Sequence, residues 1–150
     1  MRIIMATALV SSLFIAGAAT LASEKKIAMK DVPTAVQQAI KEQSTGATLR
    51  GLAKEVEKGK TLYEAELKVV GHSKDITFDE QGTIVSVEEE VALEGIPAAA
   101  RTAIEKAAGT GKVSEVEKVT EGGKTFYEAH VNKGGKKSEV KVDASGVAVK

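Results

Sequence analysis

The sequence predicts an α+β protein built from two tandem repeats, each with one helix followed by an antiparallel meander of about four strands. Three observations predict this fold. The segment 60–65 recurs as segment 124–129, 64 residues later. An apolar pattern with helical spacing opens each repeat, and short alternating apolar segments separated by glycine turns follow it. We expect the two helices to pack on one face of the sheet.

The repeat extends well beyond this hexapeptide. Laying residues 32–86 on residues 96–150 requires no gap, because each matched pair is 64 positions apart. A chance match of one short segment would not keep a proline and an Asp-x-x-Gly pattern in the same register. The other matched pairs are Pro33 with Pro97, Asp79 with Asp143, and Gly82 with Gly146. We therefore predict a first repeat at 23–90 and a second at 91–150.

The first 22 residues have the layout of a secretory signal peptide. Arg2 supplies a positive start, an uncharged apolar run follows, and small residues precede Ala22 and Ser23, where we place the cleavage. The alternative is a retained anchor helix, because the uncharged run 3–23 is long enough to span a bilayer. The signal-peptide interpretation predicts a periplasmic or secreted protein with no stable membrane insertion after cleavage.

Each repeat is predicted to begin with a helix. Pro33 and Pro97 fit its first turn, where the missing N–H group is not needed for a helical hydrogen bond. Apolar residues then recur at three- and four-residue spacing on one helical face. In the first repeat this face contains Val32, Val36, Ala39 and Ile40, and in the second it contains Ile96, Ala100, Ala103, Ile104 and Ala107.

Four strands are predicted to follow each helix. The first, at 49–56 and 113–119, alternates poorly, which favours a bulge. The second carries the best-conserved part of the internal repeat, with Tyr63 on one face and Glu64 on the other. The Asp79 and Asp143 segments are predicted as tight hairpin loops rather than calcium loops, because they offer too few oxygen ligands. The last strand is predicted at 83–87 and 147–149.

The second strand supplies a candidate protein-contact face. If Tyr63 faces the helix, its neighbours along the strand face away from it. An apolar residue beside acids on an uncovered sheet is typical of a protein-binding patch. The candidate residues are Leu62, Glu64 and Glu66 in the first repeat, and Phe126, Glu128 and His130 in the second.

Composition argues against several other functions. The chain has 21 basic and 21 acidic residues and no cysteine, so it predicts no nucleic-acid partner, disulfide or thiolate metal site. His72 and His130 occupy non-equivalent positions in the two repeats, which argues against a shared metal ligand. We find no catalytic constellation and predict no enzyme activity, cofactor or metal. The acidic run 88–90 is interpreted as a solvated linker or a frayed strand end.

The pattern of apolar-Pro, Gly-Lys-x-x-Tyr-Glu and Asp-x-x-Gly resembles the PepSY-like family, also described as putative β-lactamase-inhibitor-like. The matching segments begin at Val32, Gly59 and Asp79 and recur from Ile96, Gly123 and Asp143. The resemblance implies an exported module that binds proteins, peptides or peptidases without catalysing a reaction. The inhibitor comparison implies that the sheets of two tandem units form a concave protein-binding surface.

Together these observations predict a non-catalytic binding module with a protein or peptide partner in the cell envelope, where it binds or inhibits a peptidase or another protein. Two alternatives remain open at this point. One is a small-ligand or cation-binding envelope protein, and the other is a structural or stress-related envelope protein without a specific partner. The sequence leaves open the partner's identity, the oligomeric state, which sheet face is exposed and whether the two repeats share one sheet.

Overall fold

The computed structural model describes residues 25–149, so the expected signal peptide and the Ala22–Ser23 junction lie outside the described residues. The two helices are α1 (Thr34–Gln43) and α2 (Ala98–Ala108), each preceded by a short 3-10 turn. The strands are β1 (Lys25–Lys26), β2 (Thr48–Glu57), β3 (Lys60–Val69), β4 (His72–Asp79), β5 (Ile84–Glu90), β6 (Lys112–Glu121), β7 (Lys124–Lys133) and β8 (Lys136–Val142).

All eight strands form a single antiparallel sheet in sequence order, β1 to β8. The first repeat contributes β1 to β5 and the second contributes β6 to β8. The repeats meet where β5 pairs with β6, from Ser86 opposite Glu121 to Glu90 opposite Glu117. The question left open by the sequence is therefore answered: the two repeats share one continuous sheet.

Both helices lie on the same face of this sheet, as predicted. Proline occupies the N-cap of each helix, with an extended ψ of 144° at Pro33 and 137° at Pro97. The apolar side of each helix packs against the sheet. This packing buries Val36 and Ile40 of α1 and Ala100 and Ile104 of α2. Burial of one large aliphatic side chain stabilises the fold by roughly 1.5–3 kcal/mol. Helices this short are not stable alone in water, so packing against the sheet, rather than helical propensity, stabilises them.

Each helix covers its own hydrophobic core. The first core is centred on α1, β3 and β4, and β5 adds Val87 at its margin. The second is centred on α2, β6 and β7, and Val91, just after β5, packs against it. The first core contains Val32, Val36, Ile40, Leu52, Tyr63, Ala65, Leu67, Ile76 and Phe78. The second contains Ile96, Ala100, Ile104, Val116, Ala129 and Val142.

The irregularity predicted in the first strand of each repeat is confirmed. The register of β2 on β3 shifts between Leu49 and Gly51, and that of β6 on β7 shifts between Val113 and Glu115. The extra residues, Arg50 and Ser114, are 64 positions apart. A bulge at the same place in both copies explains why neither strand alternates cleanly in sequence.

The Asp-x-x-Gly segments form the expected hairpin loops. Asp79 Oδ1 accepts hydrogen bonds from the amides of Gln81 (3.0 Å) and Thr83 (2.8 Å). Asp143 repeats this pattern in the second copy, and its Oδ1 also accepts a hydrogen bond from the Ser145 hydroxyl at 2.6 Å. The Ser145 hydroxyl, followed by the Val147 amide, holds the pKa of the Asp143 carboxyl below its ordinary value. Gly82 has a φ of 79° and lies directly under α1, where an added Cβ would stand 2.7 Å from the Ala35 carbonyl oxygen. These loops therefore fix the distance between helix and sheet.

Two sequence predictions about strands are wrong. The second repeat has no fourth strand in the described residues: the segment predicted at 147–149 makes one isolated bridge, Val142 with Ala148. Of the two interpretations of the acidic run 88–90, the solvated linker is wrong, because these residues form the end of β5 and pair with β6. β5 has a strand partner on each side, β4 and β6.

Gly82→Ala should destabilise the protein far more than Gly59→Ala, although both glycines have a φ of 79°. The Cβ at position 59 meets nothing within 4 Å, so only backbone strain is added, at about 1 kcal/mol. At position 82 the helix must also move, and we expect a loss of about 3 kcal/mol or more in urea unfolding. Equal losses for the two variants would contradict the close packing of this loop under α1.

Val70→Asn should stabilise the protein. Val70 is 92% exposed and has a φ of 49°, a conformation that β-branched residues adopt with strain. Asparagine tolerates it, so we expect a gain of roughly 0.5–1 kcal/mol in the free energy of unfolding. Val56→Asn, at an exposed strand position, is the control and should give no gain. A loss of stability at position 70 would show that the strain is absent.

Candidate binding face

The sheet face opposite the helices is the candidate functional site. We call it the open face, because within residues 25–149 neither helix packs on it. Its members alternate with the core residues along every strand and lie opposite one another in the sheet register. Across the first repeat they include Glu64, Glu66, Asp75 and Glu88, and across the second they include Glu115, Glu117, Val119, Phe126, Glu128, His130 and Lys141.

The six residues predicted as a contact face all lie on this open face, since Tyr63 packs in the core under α1. Their expected exposure is wrong for three of them. Leu62 is 6% exposed, Phe126 9% and Glu128 7%. Glu64, Glu66 and His130 are half-buried. Contact of these six residues with a protein stays a prediction. The polar residues Glu64, Glu66 and His130 are the more accessible members of the set.

Neighbours on the same sheet face bury these side chains. Phe126 lies opposite Val119, and Glu64, next to Leu62, lies opposite Ala53. Val119 and Ala53 are 2% and 1% exposed, although no helix lies above them. Side chains directly opposite each other on one face of an antiparallel pair lie within contact distance, so they can bury one another. Leu62 and Phe126 are therefore buried among the other side chains of the open face and present little apolar area to a partner.

A row of three acids crosses the first repeat. Glu66 of β3, Asp75 of β4 and Glu88 of β5 lie opposite one another in register. Burial, together with the charges of Glu66 and Glu115, raises the pKa of Asp75 to about 6. Burial, together with Glu117, Glu128 and Asp75, raises the pKa of Glu88 to about 7. Like charges placed directly opposite each other in a sheet repel, so the fold tolerates this row at a cost in stability.

A second row crosses the junction into the second repeat. Glu90, Glu117, Glu128 and Lys141 follow one another across β5 to β8. Lys141 Nζ lies 2.8 Å from Glu128 Oε2, and His130 Nε2 lies 3.4 Å from Glu117 Oε2. Burial raises the pKa of Glu117 despite the nearby His130. This row therefore holds one ion pair, Lys141 with Glu128, and His130 contacts Glu117 from the neighbouring position on β7.

Glu90 has a different environment at the edge of the rows. Its carboxylate accepts a hydrogen bond from the Ser73 amide at 2.8 Å and lies 3.9 Å from His72 Nδ1. These contacts lower the pKa of Glu90, with the Ser73 amide as the main cause. Glu90 therefore remains charged at neutral pH.

The open face has a shallow cleft in the first repeat. Both acidic and cationic side chains line it, with Arg50 at the bulge of β2. The lining residues are Arg50, Glu64, Glu66, Leu67, Lys68, Ser73 and Asp75.

Sequence reasoning missed the acids at the centre of the face: Asp75, Glu88 and Glu117. Asp75 alternates with Ile76 and Phe78, so the period-two pattern of β4 could have placed it there. Glu88 was assigned to a solvated linker or a frayed strand end, but it lies on the open face because β5 extends to Glu90. Its proximity to Glu117 depends on the pairing of two repeats, which no local pattern in the sequence indicates.

The described residues contain no group of three or more His, Asp or Glu side chains arranged to hold a metal ion. The acids lie in rows along the sheet and do not converge on one point. Among residues 25–149 there is also no helix long and apolar enough to cross a membrane.

These features define a class of protein: a tandem α+β module with both helices on one side of a continuous sheet and an uncovered, acid-rich face on the other. The family model described as "Putative beta-lactamase-inhibitor-like, PepSY-like" matches the chain twice, over residues 19–86 and 63–150. The chain belongs to this PepSY-like family, as the resemblance in its motifs implied.

Solved structures share the fold. A protein from Bacteroides eggerthii, described as a putative periplasmic protein, is 22% identical with a TM-score of 0.66, covering 79% of this chain and 86% of its own. A DUF2874 family protein from Bacteroides uniformis is 20% identical (TM-score 0.64; 79% and 87% covered). A BLIP-like protein from Bacteroides fragilis is 23% identical (TM-score 0.58; 79% and 84% covered). No curated protein sequence gives a significant match.

Lys141→Met should destabilise the protein by leaving Glu128 buried without its counter-charge. A buried charge that loses its partner costs roughly 1–3 kcal/mol, measurable by urea unfolding at neutral pH. The double variant Glu128→Gln, Lys141→Met removes the charge as well and should recover most of that loss. If the single and double variants were equally stable, the ion pair would have no role in holding this part of the open face.

Proposed function

We propose that this chain is an exported, non-catalytic module of the cell envelope that binds a protein or peptide through the open face. The observation that supports this most directly is one continuous sheet with a whole face, spanning both repeats, left without a covering layer in the described residues. Strand side chains on such a face are held in fixed positions, so they can contact a partner without first being ordered. The expected signal peptide supports export to the periplasm or beyond.

The family description and the BLIP-like neighbour motivate an inhibitory role. An inhibitor needs a rigid surface large enough to cover the entrance of an enzyme's active site, and standard protein interfaces bury about 800 Å² on each partner. A face that spans both repeats offers more contact area than a single repeat can. We therefore propose that a partner contacts both repeats at once, with envelope peptidases as the first class of enzyme to test.

The half-buried acids should determine the partner's affinity more than Leu62 and Phe126 do. Removal of a large apolar side chain that is more than 90% buried would disturb the sheet itself, so alanine variants at these two positions would not separate binding from folding. The polar residues with accessible area can be changed with less effect on the core. Glu66 and Glu115 are suitable, because each lies in a different repeat.

The test is affinity capture with residues 23–150 as bait in an envelope extract, followed by binding and inhibition measurements with the purified partner. We expect the double variant Glu66→Lys, Glu115→Lys to weaken binding at least about tenfold, since it reverses charge in both repeats. The control variant Glu42→Lys, Glu105→Lys changes two exposed helix residues on the other side of the molecule and should bind like the wild type.

Equal binding by the open-face variant and the wild type would place the interface elsewhere on the molecule. Loss of binding by the helix variant alone would assign it to the helical side. Circular dichroism and urea unfolding of each variant establish that any loss of binding occurs in a folded protein.

A further inference from the structure

The junction between the repeats holds carboxylates against one another by backbone geometry. The Val91 amide donates a hydrogen bond to the Val116 carbonyl at 2.9 Å. Hydrogen-bonded and non-hydrogen-bonded pairs alternate along antiparallel strands, so the next pair, Glu90 with Glu117, is non-hydrogen-bonded. Side chains approach more closely in such pairs. The register that joins the repeats therefore also forces two acids together.

Glu88 lies in the middle of this junction and faces charges from every neighbouring strand. Asp75 lies opposite it on β4, and Val119 lies opposite it on β6 with Glu117 as the diagonal neighbour. Glu128 of β7 acts on it from further across the sheet. Lys141 of β8 reduces the repulsion, but its Nζ is already bonded to Glu128.

Asp75 has a similar environment one strand away. Glu66 lies opposite it on β3, and Glu115 of β6 adds a further negative charge. Arg50 and Lys68 line the same cleft as Asp75. His130 is paired with Glu117 and not with Asp75. Asp75 and Glu88 are therefore adjacent, half-buried acids at the join of two repeats.

We propose that the junction between the repeats is a proton-responsive element, in which Glu88 and Asp75 take up protons in mildly acidic solution. Protonation removes the repulsion between β4, β5 and β6, strengthens the joint between the repeats and makes the open face less negative. The proposal concerns the folded chain alone and does not depend on the identity or existence of a binding partner.

The direction of the effect on stability follows from the pKa shifts. Glu88 titrates at about 7 in the folded chain against an ordinary value of 4.5, and Asp75 at about 6 against 3.8. Between the ordinary and the raised pKa value of each group, the folded state binds more protons than the unfolded state. The free energy of unfolding therefore falls as the pH rises through this range. Above about pH 7.5 both states are ionised, and this contribution becomes constant.

Groups with lowered pKa values limit the stabilisation at the acidic end. Glu90 and Asp143 contribute stability that is present above their ordinary pKa values and is lost as the pH falls through their lowered values. Acidification below about pH 4 therefore removes stability as these two carboxylates are protonated. The groups with raised pKa values and those with lowered pKa values together predict that the protein is most stable near pH 5, below neutrality.

The experiment is urea unfolding of residues 23–150 between pH 5 and 7.5, comparing the wild type with Glu88→Gln and with the control Glu105→Gln on the exposed side of α2. We expect the unfolding equilibrium constant of the wild type and the control to rise at least about a hundredfold over this range, because Glu88 and Asp75 both contribute. In Glu88→Gln only the Asp75 contribution remains, so the rise should be about tenfold, and the variant should be more stable than the wild type at pH 7.5.

A second measurement follows the protonation of the Glu88 carboxyl group directly. In a chain with carbon-13-labelled glutamate, the side-chain carboxyl resonance of Glu88, assigned by its absence in Glu88→Gln, should titrate well above the ordinary glutamate value of 4.5. The proposal is overturned if wild-type stability is flat or increases from pH 5 to 7.5. It is equally overturned if Glu88→Gln keeps the wild-type slope, or if the Glu88 carboxyl titrates at the ordinary glutamate value.

Discussion

The pairing of β5 with β6 is the interaction on which the rest of the structure depends. A repeat of about 60 residues buries too little surface to be comfortably stable alone. Pairing the last strand of one repeat with the first strand of the next removes an exposed edge from each. The same strand segment serves both cores, because Val87 packs at the first and Val91 at the second. Two marginal units thereby become one sheet.

This arrangement explains why the two faces of the sheet differ. The helices bury one face, and the hydrophobic contribution of that burial offsets the repulsion tolerated on the other. Acids brought into register at the junction are a direct consequence of joining the repeats through β5 and β6. A fold selected only for stability would not keep Asp75, Glu88 and Glu117 so close together, and conflict between local chemistry and stability is typical of functional surfaces.

Local patterns in the sequence predicted most of the fold. The proline before each helix, the period-two strands and the Asp-x-x-Gly loops act within a few residues, so their signals survive without knowledge of the tertiary structure. The bulges at Arg50 and Ser114 were indicated by poor alternation. The exposure of Leu62 and Phe126 was predicted wrongly because it depends on neighbours from other strands on the same face. The acid rows were missed because they depend on which strands pair across the repeat boundary.

Native-state hydrogen exchange at the junction tests the central claim, that the two repeats form one cooperative sheet. The account predicts that the Val91 amide and the other hydrogen-bonded amides of β5 and β6 open only in the same global unfolding event that exposes the central strands β3 and β7. Equal opening free energies at the junction and in both cores would establish a single folding unit. Rapid exchange at the junction, with the two cores opening at separate free energies, would contradict it.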